Sequence, residues 1–392
     1  METGSLLSHL VCCECGRQGE ADRVQTVCPD CGGSWLAEYA LEDSGLDRTE
    51  ISRRPRGMWR YREVLPVRRE ANIVDLGEGS TPTLRLRRIA GELGLKELWL
   101  KDEGSNPTGT FKARGAAAAY SRARELGIRD IAMGTAGNAG SALAAYAAPA
   151  GIAAHVAMPR FTPDPIKAEC RAYGAEVVEV DGPISVAGKL MSERAAANGW
   201  FEGSTLKEPY RIEGKKTMGY ELAEFFGWQM PDVVLYPTGG GVGLIGIWKA
   251  ALEMARLGWL TGRKMPRLVA VQASGCDPIV TAYEAGHSTA QAPESPYTLA
   301  AGLLVPLPYG HRLVLRIIKE TGGVAISVED SELAGAVREM AEREGLLLCP
   351  EAAALLPALK SLLGSGAIDA DERVVLLSTG NGLKYPHVFN GA

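Results

Sequence analysis

Residues 232–256 read DVVLYPTGGGVGLIGIWKAALEMAR, and the reading of this stretch decides the fold. Val233 to Tyr236 form an unbroken apolar run, the pattern of a strand covered on both faces rather than on one. Gly239, Gly240 and Gly241 follow, three residues without a Cβ that let the backbone wrap closely around a small group. From Leu244 onward the apolar positions recur at helical spacing. Strand, glycine loop and helix in succession are the building unit of open parallel α/β sheets.

The same alternation spreads outward in both directions. Strands are expected at ELWLK (97–101), DIAMG (130–134), AAHVAMP (153–159), EVVEV (176–180), RLVAVQA (267–273) and RVVLLST (373–379). Helical spacing occupies 138–148, 165–173, 185–198, 215–226, 244–257 and 331–345. No fixed-period repeat and no low-complexity tract interrupts the pattern. The expected fold class is α/β with open parallel sheets, and a chain of 392 residues has room for about two or three domains.

Hydrophobic residues make up 46% and charged residues 23%, too much apolar material for a disordered chain. The net charge of −5 argues against a surface built to grip nucleic acid. From Ile131 to Pro159 there is no Asp, Glu, Lys or Arg, a stretch long enough to cross a bilayer. Gly134, Gly137, Asn138, Gly140, Pro149, Gly151 and His155 break it up, so it reads as strand, loop, Ala-rich helix and strand inside the α/β fold. The first residues lack the basic start and apolar run of a signal peptide, and a cytoplasmic chain without a membrane partner is expected.

Five of the eight cysteines fall within the first 31 residues. Cys12 and Cys15 form one Cys-x-x-Cys, and Cys28 and Cys31 form a second after 12 intervening residues. Two such knuckles, turned by Gly16 and Gly32, can close a tetrahedral Zn²⁺ site, and in so small a ribbon the metal would supply the folding energy. The other reading is a ribbon without metal or with disulfides, and Cys13 is a substitute ligand. Cys170, Cys276 and Cys349 are scattered and expected to be reduced thiols. Residues 41–75 form a connector with eight Arg between Arg48 and Arg69. Acids and the apolar Trp59, Tyr61, Leu65 and Val67 are interleaved there, as in a segment packed over a larger domain.

In open α/β sheets ligands bind beyond the carboxyl ends of strands, so the strand-to-helix loops come next. GTAGNAG (134–140) opens the Ala-rich helix, and free backbone amides at a helix start favour a carboxylate or phosphate. PTGGGVG (237–243) opens a G-x-G-x-x-G at Gly241, Gly243 and Gly246, but the next strand, RLVAVQAS, ends without the acidic residue that a ribose needs. Nor does Gly-Lys-Ser/Thr follow, so a monophosphate held by backbone amides fits best. In STGNGLKYP (378–386), Thr379 sits at the strand end with its hydroxyl aimed into the cleft. Lys112, beyond the Pro/Gly turn of NPTGTFKARG, heads a run of small residues that looks helical. In an apolar setting its pKa would fall, and it could act as a base or form a Schiff base. The five histidines are far apart, with no H-E-x-x-H, and there is no G-x-S-x-G.

Taken together, these segments resemble the fold type II pyridoxal-phosphate enzymes, the tryptophan synthase β family, and by motif the threonine synthases among them. The resemblance runs from MWRYREVLPV (58–67) through LGEGSTP (76–82), NPTGTFKARG (106–115), GTAGNAG, PYRIEGKKT (209–217) and PTGGGVG to TGNGLK (379–384). It implies a large cofactor-binding domain from 76–112 plus 206–392 and a small α/β domain over 113–205, behind a zinc ribbon over 8–40 and the connector. Lys112 would carry pyridoxal phosphate covalently and later shuttle protons. Asn138 would hydrogen-bond the cofactor's phenolic oxygen, and Thr135, Ala136 and Gly137 would join it in holding the substrate carboxylate. Gly239, Gly240, Gly241, Val242 and Gly243 would cradle the cofactor phosphate, and Thr379 would meet the pyridine nitrogen. A neutral hydroxyl there suits eliminations and replacements more than transamination.

The family reaction implied is loss of phosphate from the γ carbon of O-phosphohomoserine and addition of water at the β carbon, giving threonine. Arg211 matches the arginine expected to hold the substrate phosphate, and a homodimer is expected by resemblance. The chain departs from the threonine synthase pattern Asn-Pro-x-Arg-x-x-Gly-Gln-Lys-Thr, with Glu208 for Asn and Lys215 for Gln, and Ala113 stands where Asp is common. Glu208 beside a phosphate would be repulsive unless it points away or pairs with Lys207 or Lys215. These departures leave a second substrate reading open: a threonine or serine dehydratase, or a cysteate synthase using O-phosphoserine and sulfite.

Overall fold

The computed structural model describes residues 1–262 and 265–389. Among these, the strands in chain order are β1 (Leu7–Cys12), β2 (Gln18–Glu20), β3 (Trp35–Tyr39), β4 (Thr83–Arg85), β5 (Glu97–Asp102), β6 (Asp130–Gly134), β7 (Ala153–Pro159), β8 (Glu176–Val180), β9 (Phe201–Glu202), β10 (Val233–Pro237), β11 (Arg267–Ala273), β12 (Ala325–Val328) and β13 (Arg373–Ser378). They build three sheets in two compact units. The first unit comprises residues 1–80, 106–108 and 112–217, and the second comprises 81–105, 109–111 and 218–392.

The first unit holds the antiparallel ribbon β2-β1-β3 and a parallel sheet in the order β8-β7-β6-β9. The charge-free stretch resolves into β6, the helix Asn138–Ala150 and β7. That helix carries Pro149 in its last turn and ends on Gly151 at φ 68, where the left-handed backbone suits a residue without a Cβ. Its alanines share one core with those of the helix Lys112–Glu125 and with Trp59, Leu65 and Val67 of the 41–75 segment. No helix among the described residues is long and apolar enough to cross a membrane.

Glu78 pins that segment down. It is fully buried; Trp59 Nε1 donates to one carboxylate oxygen at 3.0 Å, while Tyr146 Oη and the Leu76 amide donate to the other at 2.5 and 3.0 Å. Burial raises its pKa, and the Tyr146 hydroxyl pulls it back toward the ionised form.

The closest approach in this unit lies between the helix Lys112–Glu125 and the first half of the helix Arg211–Phe225. A methyl group on Gly214 would lie 1.8 Å from the Arg114 carbonyl oxygen, and one on Gly115 would lie 2.9 Å from the Arg211 carbonyl oxygen. Arg114 Nη1 donates to Thr217 Oγ1 at 2.9 Å, adding a polar tie at the crossing. The second helix begins one turn before the 215 read from spacing, because the Glu208 carboxylate accepts the amides of Tyr210 at 2.8 Å and Arg211 at 3.0 Å.

The second unit is a sheet in the order β12-β11-β10-β13-β5-β4, parallel except for the edge strand β4. The register Val233↔Val374 and Leu235↔Leu376 sets β10 beside β13, so the loops leaving these two strands emerge side by side. The short strands β4, β9 and β12 carry too little pattern to be read from sequence.

Gly214→Ala should lower stability by about 1–3 kcal/mol, because the helices must part to admit the methyl group. Gly335→Ala is the control: Gly335 lies on the exposed side of the helix Asp330–Glu344 with no atom within 4 Å of an added Cβ. It should raise stability by about 0.5–1 kcal/mol through helix propensity. Paired denaturant titrations check both signs.

Candidate active site

Lys112 is the first residue of its helix and is partly buried. A cavity of the first unit opens beside it, lined on one side by Ala116, Ala119 and Tyr120 of the same helix and closed by Glu208 and Arg211. Ala139, Ala142 and Leu143 of the neighbouring helix complete the wall with Ile131 and Phe201. The sequence-predicted Lys112 and Arg211 therefore face one enclosed space, although 99 positions separate them in the chain.

Arg211 is held in place rather than left free to swing. Its Nη1 donates to the Gly203 carbonyl oxygen at 3.1 Å and Thr205 Oγ1 at 3.3 Å. Glu208 is 2% exposed, and its carboxylate faces the first amides of the Arg211 helix. Lys207 pairs instead with Glu202 at 2.9 Å. Burial pushes the Glu208 carboxyl up and the Arg211 guanidinium down, while the attraction between them opposes both shifts. Lys215, one turn beyond Arg211 and packed against Gly115, has its pKa driven well down by burial, then by the positive charges of Arg211 and Lys112. A buried site with two amines and a guanidinium is set to receive negative charge, and Glu208 balances part of that excess.

Thr135, Ala136 and Gly137 form the turn from β6 into the Asn138 helix. Thr135 is buried, and the Gly137 amide donates to its Oγ1 at 3.3 Å. No side chain caps the helix at Gly137.

In the second unit, the glycine loop leaves β10 and Thr379 follows β13. A methyl group on Gly239 would lie 2.2 Å from the Gly302 carbonyl oxygen, and one on Gly243 would lie 2.2 Å from Tyr236 Oη. Gly241 sits at φ 74 as the N-cap of the helix Val242–Arg256, again without a side-chain cap. Bare backbone at an uncapped helix start is the cradle that one phosphate group needs. The Gly243 amide is hydrogen-bonded to the Tyr236 hydroxyl, which turns it away from the loop. Thr379 is buried, with Oγ1 3.9 Å from Cys349 Sγ, and its carbonyl oxygen accepts the Phe111 amide at 3.1 Å.

The thiols of Cys12, Cys15, Cys28 and Cys31 all lie within 4.8 Å of one another. A tetrahedral ion with bonds of about 2.3 Å would set its sulfurs about 3.8 Å apart; the observed Cys12–Cys31 and Cys15–Cys28 separations are 3.4 and 3.7 Å. Amides of Glu14 and Gly33 donate to the sulfurs of Cys12 and Cys31. Cys13 points elsewhere, toward Glu14 Oε1 at 3.7 Å.

Tyr120 was missed as a site residue. Its position eight residues after Lys112, as the only bulky side chain in GAAAAY, places it on the face of the helix that bears the lysine.

Residues 74–380 match the pyridoxal-phosphate dependent enzyme family. Threonine synthase of Methanocaldococcus jannaschii is 35% identical over 378 residues, covering 96% of this chain and 92% of that protein. Threonine synthase of Methanosarcina acetivorans is 34% identical with the same shares covered. Among solved structures, a threonine deaminase from T.th. superimposes with a TM-score of 0.62 at 29% identity, covering 77% of this chain and 92% of the other. A fungal L-serine ammonia-lyase from Rhizomucor miehei reaches 0.65 at 22% identity, covering 77% and 93%, a likeness of fold alone. With a family model matched over residues 74–380 and relatives matched almost end to end, the chain belongs to the fold type II pyridoxal-phosphate-dependent enzymes, within the threonine synthase family of lyases.

Proposed function

We propose that the chain converts O-phosphohomoserine and water to threonine and phosphate. The observation that carries this reading is the shared cavity of Lys112 and Arg211, an amine and a cation facing one buried space. Pyridoxal phosphate, when bound, supplies an electron sink for negative charge at the carbon next to the amino group. The Lys112 side chain would hold the cofactor and then, released as a free amine, move protons at the α and β carbons. In the same reading the loop Gly239–Gly243 takes the cofactor phosphate, Thr379 meets its ring nitrogen and Asn138 its phenolic oxygen. The amides after Thr135 orient the substrate carboxylate. Arg211 holds the substrate phosphate, which steadies the leaving group as its bond to the γ carbon breaks. The cavity's apolar wall excludes bulk water and strengthens each of these attractions.

Glu208 favours a second reading, because a carboxylate in the same cavity disfavours a phosphorylated side chain. Under it, the enzyme deaminates threonine or serine; a synthase joining O-phosphoserine and sulfite takes a phosphorylated substrate too and gains nothing from Glu208. Turnover of cofactor-loaded protein on O-phosphohomoserine, following threonine and phosphate together, separates the two: equal release supports the first, and no release with retained cofactor supports the second. Given turnover, Arg211→Ala should raise KM about 10- to 100-fold, the value of a charge-assisted hydrogen bond pair, with a smaller change in kcat. Arg211→Lys should recover part of the loss.

Lys112→Ala should abolish the absorbance of covalently held cofactor near the visible edge, together with turnover. Retention of either would remove Lys112 from its role.

We propose Zn²⁺ at the four cysteines. Their ribbon braces the segment bearing Glu208 and Arg211: Ser34 Oγ donates to the Leu206 carbonyl oxygen at 2.8 Å, Tyr210 Oη to that of Ala21 at 2.8 Å, and Lys216 Nζ lies 3.9 Å from the Tyr39 ring centroid. One zinc per chain is expected by elemental analysis. Its removal by a chelator should unfold the ribbon and raise KM more than it lowers cofactor content.

A further inference from the structure

The reading above sets the substrate phosphate on Arg211, yet the enclosed space beside that residue holds about 20 Å³. That is room for one water molecule and not for a phosphate group. Part of the wall must therefore move before a phosphate can enter. The Lys112 and Arg211 helices are locked together at Gly115 and Gly214, and the Asn138 helix shares the alanine core of the Lys112 helix. What is left of the wall, beside Ile131 of the sheet, is Phe201, Gly203 and Glu208. From Gly203 to Tyr210 the chain forms neither helix nor strand.

Few contacts hold that segment shut. Arg211 Nη1 donates to the Gly203 carbonyl oxygen at 3.1 Å and to Thr205 Oγ1 at 3.3 Å, two neutral acceptors at the long end of the hydrogen-bond range. Leu206 sits at φ 63, a left-handed backbone that a leucine adopts only under constraint. The constraint is visible: its side chain is 2% exposed, and Ser34 Oγ of the ribbon holds its carbonyl oxygen at 2.8 Å. A strained residue inside a segment without regular structure marks a place where two arrangements lie close in energy.

We propose that residues 203–205 form a strap over the cavity, latched by Arg211 and pivoting at Leu206, and that the substrate's own phosphate releases it. The proposal rests on the phosphorylated substrate stated under the proposed function. A phosphate dianion makes shorter, charge-assisted hydrogen bonds to a guanidinium, and these outcompete a carbonyl and a hydroxyl for the same donors. Once Arg211 turns to the phosphate, Gly203 and Thr205 lose their donor, Leu206 relaxes out of the left-handed region and the strap swings outward. The space it leaves takes the phosphate. Threonine and serine bring no side-chain anion to Arg211, so they leave the strap latched, and entry depends on the phosphate. Thr205 is a positioning residue in this scheme: it holds Arg211 in the free enzyme and touches no reacting atom.

Thr205→Val keeps the side-chain shape and removes the hydroxyl from the latch. In cofactor-loaded protein without substrate, amide hydrogen exchange over residues 203–206 should run about three- to tenfold faster than in the wild type, the loss of one hydrogen bond. The KM for O-phosphohomoserine should fall by a similar factor with kcat little changed, because Arg211 is released before the substrate arrives. A threonine that only supports the fold would raise KM or leave it unchanged, and either result overturns the latch. Leu206→Asn and Leu206→Ala separate strain from burial, since both lose the leucine side chain and Asn accepts the left-handed backbone more readily. The Ala variant should exchange faster than the Asn variant over 203–206; equal rates remove Leu206 as the pivot.

Release by phosphate is read with 2-amino-5-phosphonopentanoate, in which a carbon replaces the bridging oxygen so that no phosphate can leave. Saturating the wild type with it should speed exchange over 203–206. No increase, with the absorbance of the bound cofactor shifted to show the probe in place, overturns the proposal. If the enzyme neither turns over O-phosphohomoserine nor binds the phosphonate, the substrate reading fails and release by phosphate falls with it. Exchange in substrate-free Thr205→Val then decides the latch on its own.

Discussion

Everything in the first unit that bears on chemistry depends on how closely two helices cross at Gly115 and Gly214. Gly214 lies against the Arg114 carbonyl, and Gly115 against the Arg211 carbonyl and the Lys215 side chain, so the start of one helix is fixed against the start of the other. Lys112 stands three residues before Gly115, and Arg211 stands three residues before Gly214. The crossing thus sets the distance between an amine and a guanidinium, with less slack than flexible side chains would leave. Interiors this tightly packed resist small displacements, which is what a site needs when it must hold reacting atoms within a fraction of an ångström.

Closeness has an electrostatic consequence. Lys112, Arg211 and Lys215 bring three basic groups together in a buried space, where burial and weakly screened repulsion drive the Lys215 pKa well down. Glu208 answers it twice, by its own charge and by accepting the first amides of the Arg211 helix. An asparagine could cap the helix as well, but it would bring no charge to set against Lys215. The pairing of Glu208 with Lys215 in place of a neutral Asn and Gln is therefore a coherent exchange. The helix start stays capped.

Much of this was legible in the sequence. Unbroken apolar runs gave most strands of the two parallel sheets, because strands covered on both faces carry no alternation to confuse them with edges. The strand-to-helix glycine loop was legible because bare backbone stands out after an apolar run, and the four-cysteine cluster because two Cys-x-x-Cys knuckles are spaced to bring their thiols together. The start of the Arg211 helix was not, since its cap is Glu208, a residue read as a charge near a phosphate rather than as an acceptor of amides. Tyr120 was illegible for a different reason. A tyrosine closing an alanine run looks like core, and only the structure shows that its buried hydroxyl has no hydrogen-bond partner among the described residues.

The ribbon raises a last point about what a small four-cysteine module does on an enzyme. It buries little core of its own, and its thiols lie on a side of the unit given to structure rather than catalysis. Yet its three ties, from Ser34, Ala21 and Tyr39, all fall on residues 206–216, the segment that carries Glu208, Arg211 and Lys215. A segment that enters a helix through two buried charges needs support from outside the sheet, because the strands reach it only through the two-residue β9. The ribbon supplies that support. Its metal would then act on substrate binding without touching substrate, through the stiffness of the backbone that presents Arg211.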